Sequence, residues 1–175
     1  MRTGRSSEIS GVELGWHATS EDALLEQLRG RYDPDTTLAA GRSCPFCGSG
    51  EHGQPWARVG EVNPSVSLTR AGPHQLVAIG PPGWRIGVDL EEIAAFASWW
   101  DDVLVLHPHE RAPDAPTRAR VWTAKEALLK ALGVGLGDPR QSMRALRLAD
   151  WGEALHVIPA PPGYHATLAV LPPDR

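Results

Sequence analysis

The 175-residue chain is expected to fold as an α+β protein, and three observations point there. Strand-like runs recur along it, separated by turns rather than by long helices. Each half carries one principal helical stretch among those strands. The 16 prolines and 18 glycines fall mostly between the periodic segments, where they punctuate loops.

Taken in order, "VELGWHAT" alternates as a strand should. Ser20 then offers a hydroxyl cap to a short helix over "EDALLEQLRG", with Gly30 expected to end it. A loop-rich stretch follows from Tyr32 to Pro55. "PSVSLTRA", "HQLVAIG" and "WRIGVDLE" read as three strands, and "EEIAAFASWWDD" as a helix. After the polar connection "HPHERAPDAPT" comes a helix that includes "VWTAKEALLKALG", capped by Asp114 or Thr117 and stopped by Gly133. "MRALRLAD", "EALHVIP" and "YHATLAVLP" read as closing strands, the last two joined by the turn "APPG". The division falls between residues 1–84 and 85–175, two α+β halves of similar content.

Composition narrows the function. An apolar fraction of 42% and a charged fraction of 22% are ordinary for a globular chain. A net charge of −4 argues against nucleic acid as a partner, which would call for a basic face. "MRTGRSSEISGVELGW" has no apolar signal core, and no run approaches the ~20 apolar residues of a membrane span, so a cytoplasmic protein is expected. The two cysteines, Cys44 and Cys47, lie in "CPFCGSGEHGQP". With His52 they offer three ligands for Zn2+, but a closed tetrahedral site needs four and His74 is the nearest spare candidate. Two reduced thiols in a turn are therefore the favoured reading over zinc.

The chemistry-bearing residues lie in the second half. At ~100° per residue, Ala124, Ala127, Leu128, Ala131 and Leu132 share an apolar arc, while Glu126 and Lys130 stand four apart on the opposite side. Alone, these two would be an exposed ion pair worth ~0.3–0.5 kcal/mol. Lys125 points elsewhere, near the border of the apolar arc. "RIGVDLEEI" places Asp89 and Glu91 two apart, so both carboxylates leave one face of a strand end. Like charges so placed call for a cation, and a hard divalent ion such as Mg2+ suits oxygen ligands. The competing reading makes Asp89 and Glu91 the cap and acidic first turn of a helix at Glu92. Glu126 would be the third carboxylate and Lys130 would stand beside a metal-bound phosphate.

"GVDLE" followed about 35 residues later by "WTAKEALLK" resembles the two-part signature of 4′-phosphopantetheinyl transferases. The form "WxxKEAxxK", with a preceding half, is more similar to the larger pseudo-dimeric type than to the short trimeric holo-acyl-carrier-protein synthases. "CPFCGSGEHGQP" and "SVSLTRAG" also resemble blocks of that larger type, so the likeness covers roughly Cys44 to Gly135. It implies two halves about a pseudo-twofold with a ligand cleft between them, and a monomer. It implies Mg2+, with Mn2+ as a substitute, held by Asp89, Glu91 and Glu126 against coenzyme A, and phosphopantetheine transfer to a serine of an apo acyl or peptidyl carrier protein. Glu126 would accept the serine proton, and Lys130 would stabilise the departing 3′,5′-ADP. Thr69, Arg70, Gln54, Arg42, Lys125 and Lys130 would contact coenzyme A, with Arg29 or Arg31 as further substitutes. Arg111, Arg118 and Arg120 would meet an acidic carrier, or else be solvated loop charges. The chain departs from the pattern where Thr69-Arg70 replaces Ser-His and Gln54 replaces a basic residue. The first half is also short. A weakened carrier-protein or coenzyme A-binding module of the same fold is the alternative.

Overall fold

Four strands of the first half hydrogen-bond in the order β1 (Ser6–Ile9), β2 (Val12–Ala18), β6 (His74–Gly80), β5 (Ser65–Ala71), every neighbour antiparallel. The computed structural model describes residues 6–44, 47–134 and 143–173. Gly135, at the edge of the stretch that carries the family likeness, and Pro45 and Phe46 of the cysteine loop lie outside the described residues. The chain divides into two units, Met1–Arg85 with Pro172–Arg175, and Ile86–Leu171. Each combines sheet and helix, as an α+β chain should.

In the first unit, helix α1 (Ala23–Arg31) buries Ala23, Leu24 and Leu28 against Val66, Val77 and Ile79 of the sheet. Asp22, not Ser20, is its N-cap, and the Ser20 hydroxyl instead accepts from the Asp22 N–H at 3.1 Å. The helix runs through Gly30 and closes at Tyr32, whose N–H donates to the Leu28 carbonyl. The stretch read as loop holds an antiparallel hairpin of β3 (Leu38–Ser43) and β4 (Gln54–Val59). "LAAGRS" concealed a strand because Ala and Gly have poor β-propensity, and here cross-strand packing supplies what propensity lacks. Ala57 and Val59 of this hairpin join the α1 core.

The second unit has a sheet in the order β7 (Arg85–Glu92), β9 (Tyr164–Leu171), β8 (Leu155–Ile158), with β8 and β9 antiparallel. The stretch 91–102 does not form one helix. Two single turns, α2 (Ala95–Ser98) within it and α3 (Asp102–Val105) at its end and beyond, are separated by the extended Trp99. Asp101 starts the second by accepting from the Val103 and Leu104 N–H groups, and an Asx cap of this kind competes with continued helix. "MRALRLAD" is likewise no strand, being helical at 143–145 and a 3-10 helix over Leu148–Ala154.

Helix α4 (Ala115–Leu132) begins where Asp114 accepts from the Thr117 N–H at 2.8 Å, and its last carbonyls are met by the Gly133 N–H. It is buried on two sides. Ala127, Leu128 and Ala131 pack on Ala169 and Leu171 of β9, while Val121 and Leu129 pack on Val105, Leu106, Ala112 and Met143. One apolar arc on a wet helix is thus replaced by a helix enclosed between two clusters.

Gly87 fixes β7 against α4. A Cβ there would lie 2.0 Å from the Ala127 carbonyl oxygen, 2.8 Å from the Ala131 nitrogen and 2.9 Å from the Lys130 Cβ. Helix backbone cannot yield as a side-chain tip can, so Gly87→Ala is expected to lower stability by about 1–3 kcal/mol. A urea midpoint equal to that of the unaltered chain would refute this close approach. Among the described residues no helix is long and apolar enough to cross a membrane.

Candidate metal and catalytic site

The contact made through Gly87 brings the end of β7 to the middle of α4, and the acids lie there. Asp89 is 4% exposed, Glu126 is 8% exposed and Glu91 is half-buried. Residues 89–92 continue β7, so Asp89 and Glu91 do not cap a helix. Glu126 lies inside the protein and not on a solvated face. Lys130 reaches past it, its ammonium donating to Asp89 Oδ1 at 2.7 Å and to the Val88 carbonyl at 2.9 Å. The pair that forms is Lys130–Asp89, across strand and helix.

Electrostatics tie the acids together. Burial, then the charge of Asp89, push the Glu126 carboxyl up to about 7, with Glu91 adding to the rise and Lys130 opposing it. Burial and Asp89 likewise push Glu91 up to about 7, against Lys130 and a hydrogen bond from the Trp122 side chain. Trp122 packs edge-on to Trp99 at 5.3 Å between centroids and also touches Phe96, so it joins an aromatic cluster to the acid site. Two carboxyls with elevated proton affinity beside a third acid form an all-oxygen donor set in search of positive charge. By donor chemistry alone, such a set of acids suits a hard divalent cation.

A pH dependence follows. Both glutamates hold their protons more tightly folded than at the ordinary 4.5, so between pH 4.5 and about 7 the folded chain binds more protons than the unfolded one. Stability that is intact below pH 4.5 must therefore fall as pH rises toward 7 and stay reduced above it. In EDTA, the urea midpoint is expected to drop between pH 5 and 7.5, and Glu126→Gln should remove about half of that drop. An identical slope in the two proteins would contradict the coupling.

Lys125 has a different place from the one its sequence neighbourhood implied. It is 0% exposed, and its ammonium donates to the carbonyls of Val105 at 2.6 Å and Met143 at 3.0 Å and pairs with Glu110 at 2.6 Å. Burial lowers its pKa, and Glu110 opposes that. Burial alone would raise the Glu110 carboxyl, yet donation from the Leu148 N–H, Lys125 and the His107 N–H brings it below the ordinary value. A phosphate contact by Lys125 is thereby corrected to an internal clamp. Glu110 escaped notice because nothing in "HPHERAPDAPT" singles out one acid; only the buried lysine opposite identifies it. Thr123, which flanks Glu126 on the helix, is fully buried. Its hydroxyl meets His165 Nδ1 and the Thr167 hydroxyl, each at 2.9 Å, and so ties α4 to β9.

The remaining expected coenzyme A contacts lie in the first unit, on strands except for Arg31 at the end of α1. Thr69 and Arg70 are neighbours on β5, so their side chains leave opposite faces, Thr69 buried and Arg70 exposed. They cannot grip one phosphate together from a single face. Gln54 is exposed at the start of β4, and Arg42 on β3 donates to the Gly53 carbonyl at 3.2 Å. Arg31 pairs with Glu13. Arg118 donates to the Ala112 and Phe96 carbonyls and stacks over Trp100, which makes it part of the local packing rather than a solvated charge.

Residues 85–172 match a family model described as "ACPS: 4′-phosphopantetheinyl transferase superfamily". The match includes Asp89, Glu91, Glu126, Lys130, β8 and β9, and so reaches beyond Gly135. A protein named "4′-phosphopantetheinyl transferase pptA" from Paxillus involutus is 28% identical over 113 residues, covering 50% of this chain and 43% of that protein. The match thus spans less than half the length of that relative.

Proposed function

The chain belongs to the 4′-phosphopantetheinyl transferase superfamily, and from that premise we propose that it transfers 4′-phosphopantetheine from coenzyme A to a serine of an apo acyl or peptidyl carrier protein. The observation that supports this most is the coupling of Asp89, Glu91, Glu126 and Lys130 inside the matched region. We place the protein in the larger, two-half type, since a first α+β unit precedes the matched one.

Asp89, Glu91 and Glu126 would hold Mg2+, with Mn2+ as a substitute; when bound, the ion neutralises charge on the coenzyme A pyrophosphate. The serine hydroxyl attacks the phosphorus that carries pantetheine, and the bond from that phosphorus to the oxygen of the departing 3′,5′-ADP breaks. Glu126 takes the hydroxyl proton. A carboxyl whose proton affinity lies near neutrality is matched to that task. Lys130 keeps Asp89 in place while its ammonium, with three donors, faces charge developing on the leaving phosphate. Gln54, Arg42 and Arg70 are kept as coenzyme A contacts on the first unit.

The test supplies labelled coenzyme A, Mg2+ and a panel of apo-carrier proteins. Label on at least one carrier, released only by cleaving the serine phosphodiester, is the expected result. No labelled carrier, together with coenzyme A binding that calorimetry finds indifferent to Mg2+, would overturn the proposal in favour of a binding module.

A further inference from the structure

We propose that Cys44, Cys47 and His52 bind a Zn2+ ion that staples the open end of the β3–β4 hairpin. Their ligand atoms all lie within 4.8 Å of one another, with Cys47 Sγ 3.3 Å from His52 Nε2. Bonds of ~2.3 Å to sulfur and ~2.0 Å to nitrogen put two ligands of a tetrahedral ion ~3.5 Å apart, so this separation is close to that of a loaded site. Cys44 follows directly on β3 and His52 lies two residues before β4, whose terminal pair is Ser43 with Gln54. An ion there would close the loop just beyond the last rung of the ladder.

The loop is built for this approach. The Cys44 N–H donates to the Ser49 carbonyl at 3.0 Å, and the Gly48 N–H returns to the Cys44 carbonyl at 2.9 Å. Gly53, next to His52, has φ +102°, and a Cβ there would fall 2.4 Å from the Ser43 oxygen and 2.6 Å from the Cys44 Cα. Only glycine lets the chain after His52 lie so closely on Cys44. Arg42 holds the same corner by its bond to the Gly53 carbonyl.

Donor chemistry selects the metal. Two thiolates and a neutral imidazole are soft and borderline ligands, suited to Zn2+ and unsuited to Mg2+. Loading removes one proton from each thiol, so two protons leave as two Zn–S bonds form, and the two thiolates balance the ion's charge. Cys44 is buried, while Cys47 and His52 are exposed, which leaves the fourth position to water. Read along the chain, with His74 the nearest spare candidate for a fourth ligand, two reduced thiols are favoured; the convergence of Cys44, Cys47 and His52 shifts that reading. This inference does not depend on the transferase activity.

The full chain, produced with zinc in the medium and dialysed, should contain one zinc per molecule by elemental analysis. X-ray absorption should show two sulfur and two lighter neighbours. Exchange for Co2+ should give intense thiolate-to-cobalt charge transfer, which a carboxylate site cannot produce. Cys47→Ser should lower zinc content to about a tenth or less, while Glu126→Gln should retain it. Zinc retained in Cys47→Ser, a Cys44–Cys47 disulfide in place of metal, or a Co2+ form without charge transfer would each overturn the site. The Co2+ spectrum is read on the unaltered chain, so it decides the matter even if Cys47→Ser does not fold.

Discussion

Glu126→Gln is expected to slow carrier modification by about 10²–10⁴-fold at saturating coenzyme A and Mg2+, with the chain still folded. The substitution keeps the side chain's size and removes its charge and its capacity to accept a proton. Two consequences pull apart. The chemical step loses its base and one ligand of the cation, so the loss should fall on kcat. Folding loses a liability, because a buried carboxylate beside Asp89 and Glu91 is held against its preference for the neutral form. Above pH 7 and without metal, the variant should therefore be at least as stable as its parent. A residue serving only to pack the helix would give the reverse, lower stability with little change in kcat. Near-parental turnover in Glu126→Gln would remove it from the chemistry.

Much of this site was legible in the linear chain because it depends on short-range spacing. Asp89 and Glu91 two apart on a strand, and Glu126 and Lys130 four apart on a helix, each define a common direction before any tertiary contact is known. The strands near "VELGWHAT", "PSVSLTRA", "HQLVAIG" and "WRIGVDLE" were legible for the same reason, since alternation or β-branched runs outweigh local competition. What escaped depends on partners distant in sequence. The β3 strand is a strand because β4 pairs with it, not because Leu38–Ser43 favours one. The single helix expected over residues 91–102 breaks at the extended Trp99, and Asp101 then caps a separate turn in place of continuing the first. The faces of α4 were misjudged because periodicity reveals one apolar stripe, whereas this helix meets a sheet on one side and a second cluster on the other. Lys125 is buried on the side of the second cluster, against Val105 and Met143, and Glu126 beside the acids of β7, which Gly87 lets approach the helix.

Lys125→Met is expected to destabilise the chain by about 3–5 kcal/mol, read as a lower urea midpoint. Methionine nearly matches the volume of the lysine stem but donates nothing. The carbonyls of Val105 and Met143 lose a donor inside the protein, and Glu110 loses the cation that, with the Leu148 and His107 N–H groups, offsets its burial. Removing one partner of a buried, hydrogen-bonded charge pair is costly because the other must be neutralised or left uncompensated. Glu110 also accepts the N–H groups of His107 and Leu148, so the damage should spread along the connection before α4 and into the turn after it. A second substitution distinguishes the causes: in the Glu110→Gln background, Lys125→Met should cost clearly less, since the uncompensated carboxylate is already gone. Were Lys125 a phosphate contact, its loss would raise the KM for coenzyme A and leave the urea midpoint where it was. The same pair of measurements, midpoint and KM, therefore assigns this lysine to the protein interior or to the ligand.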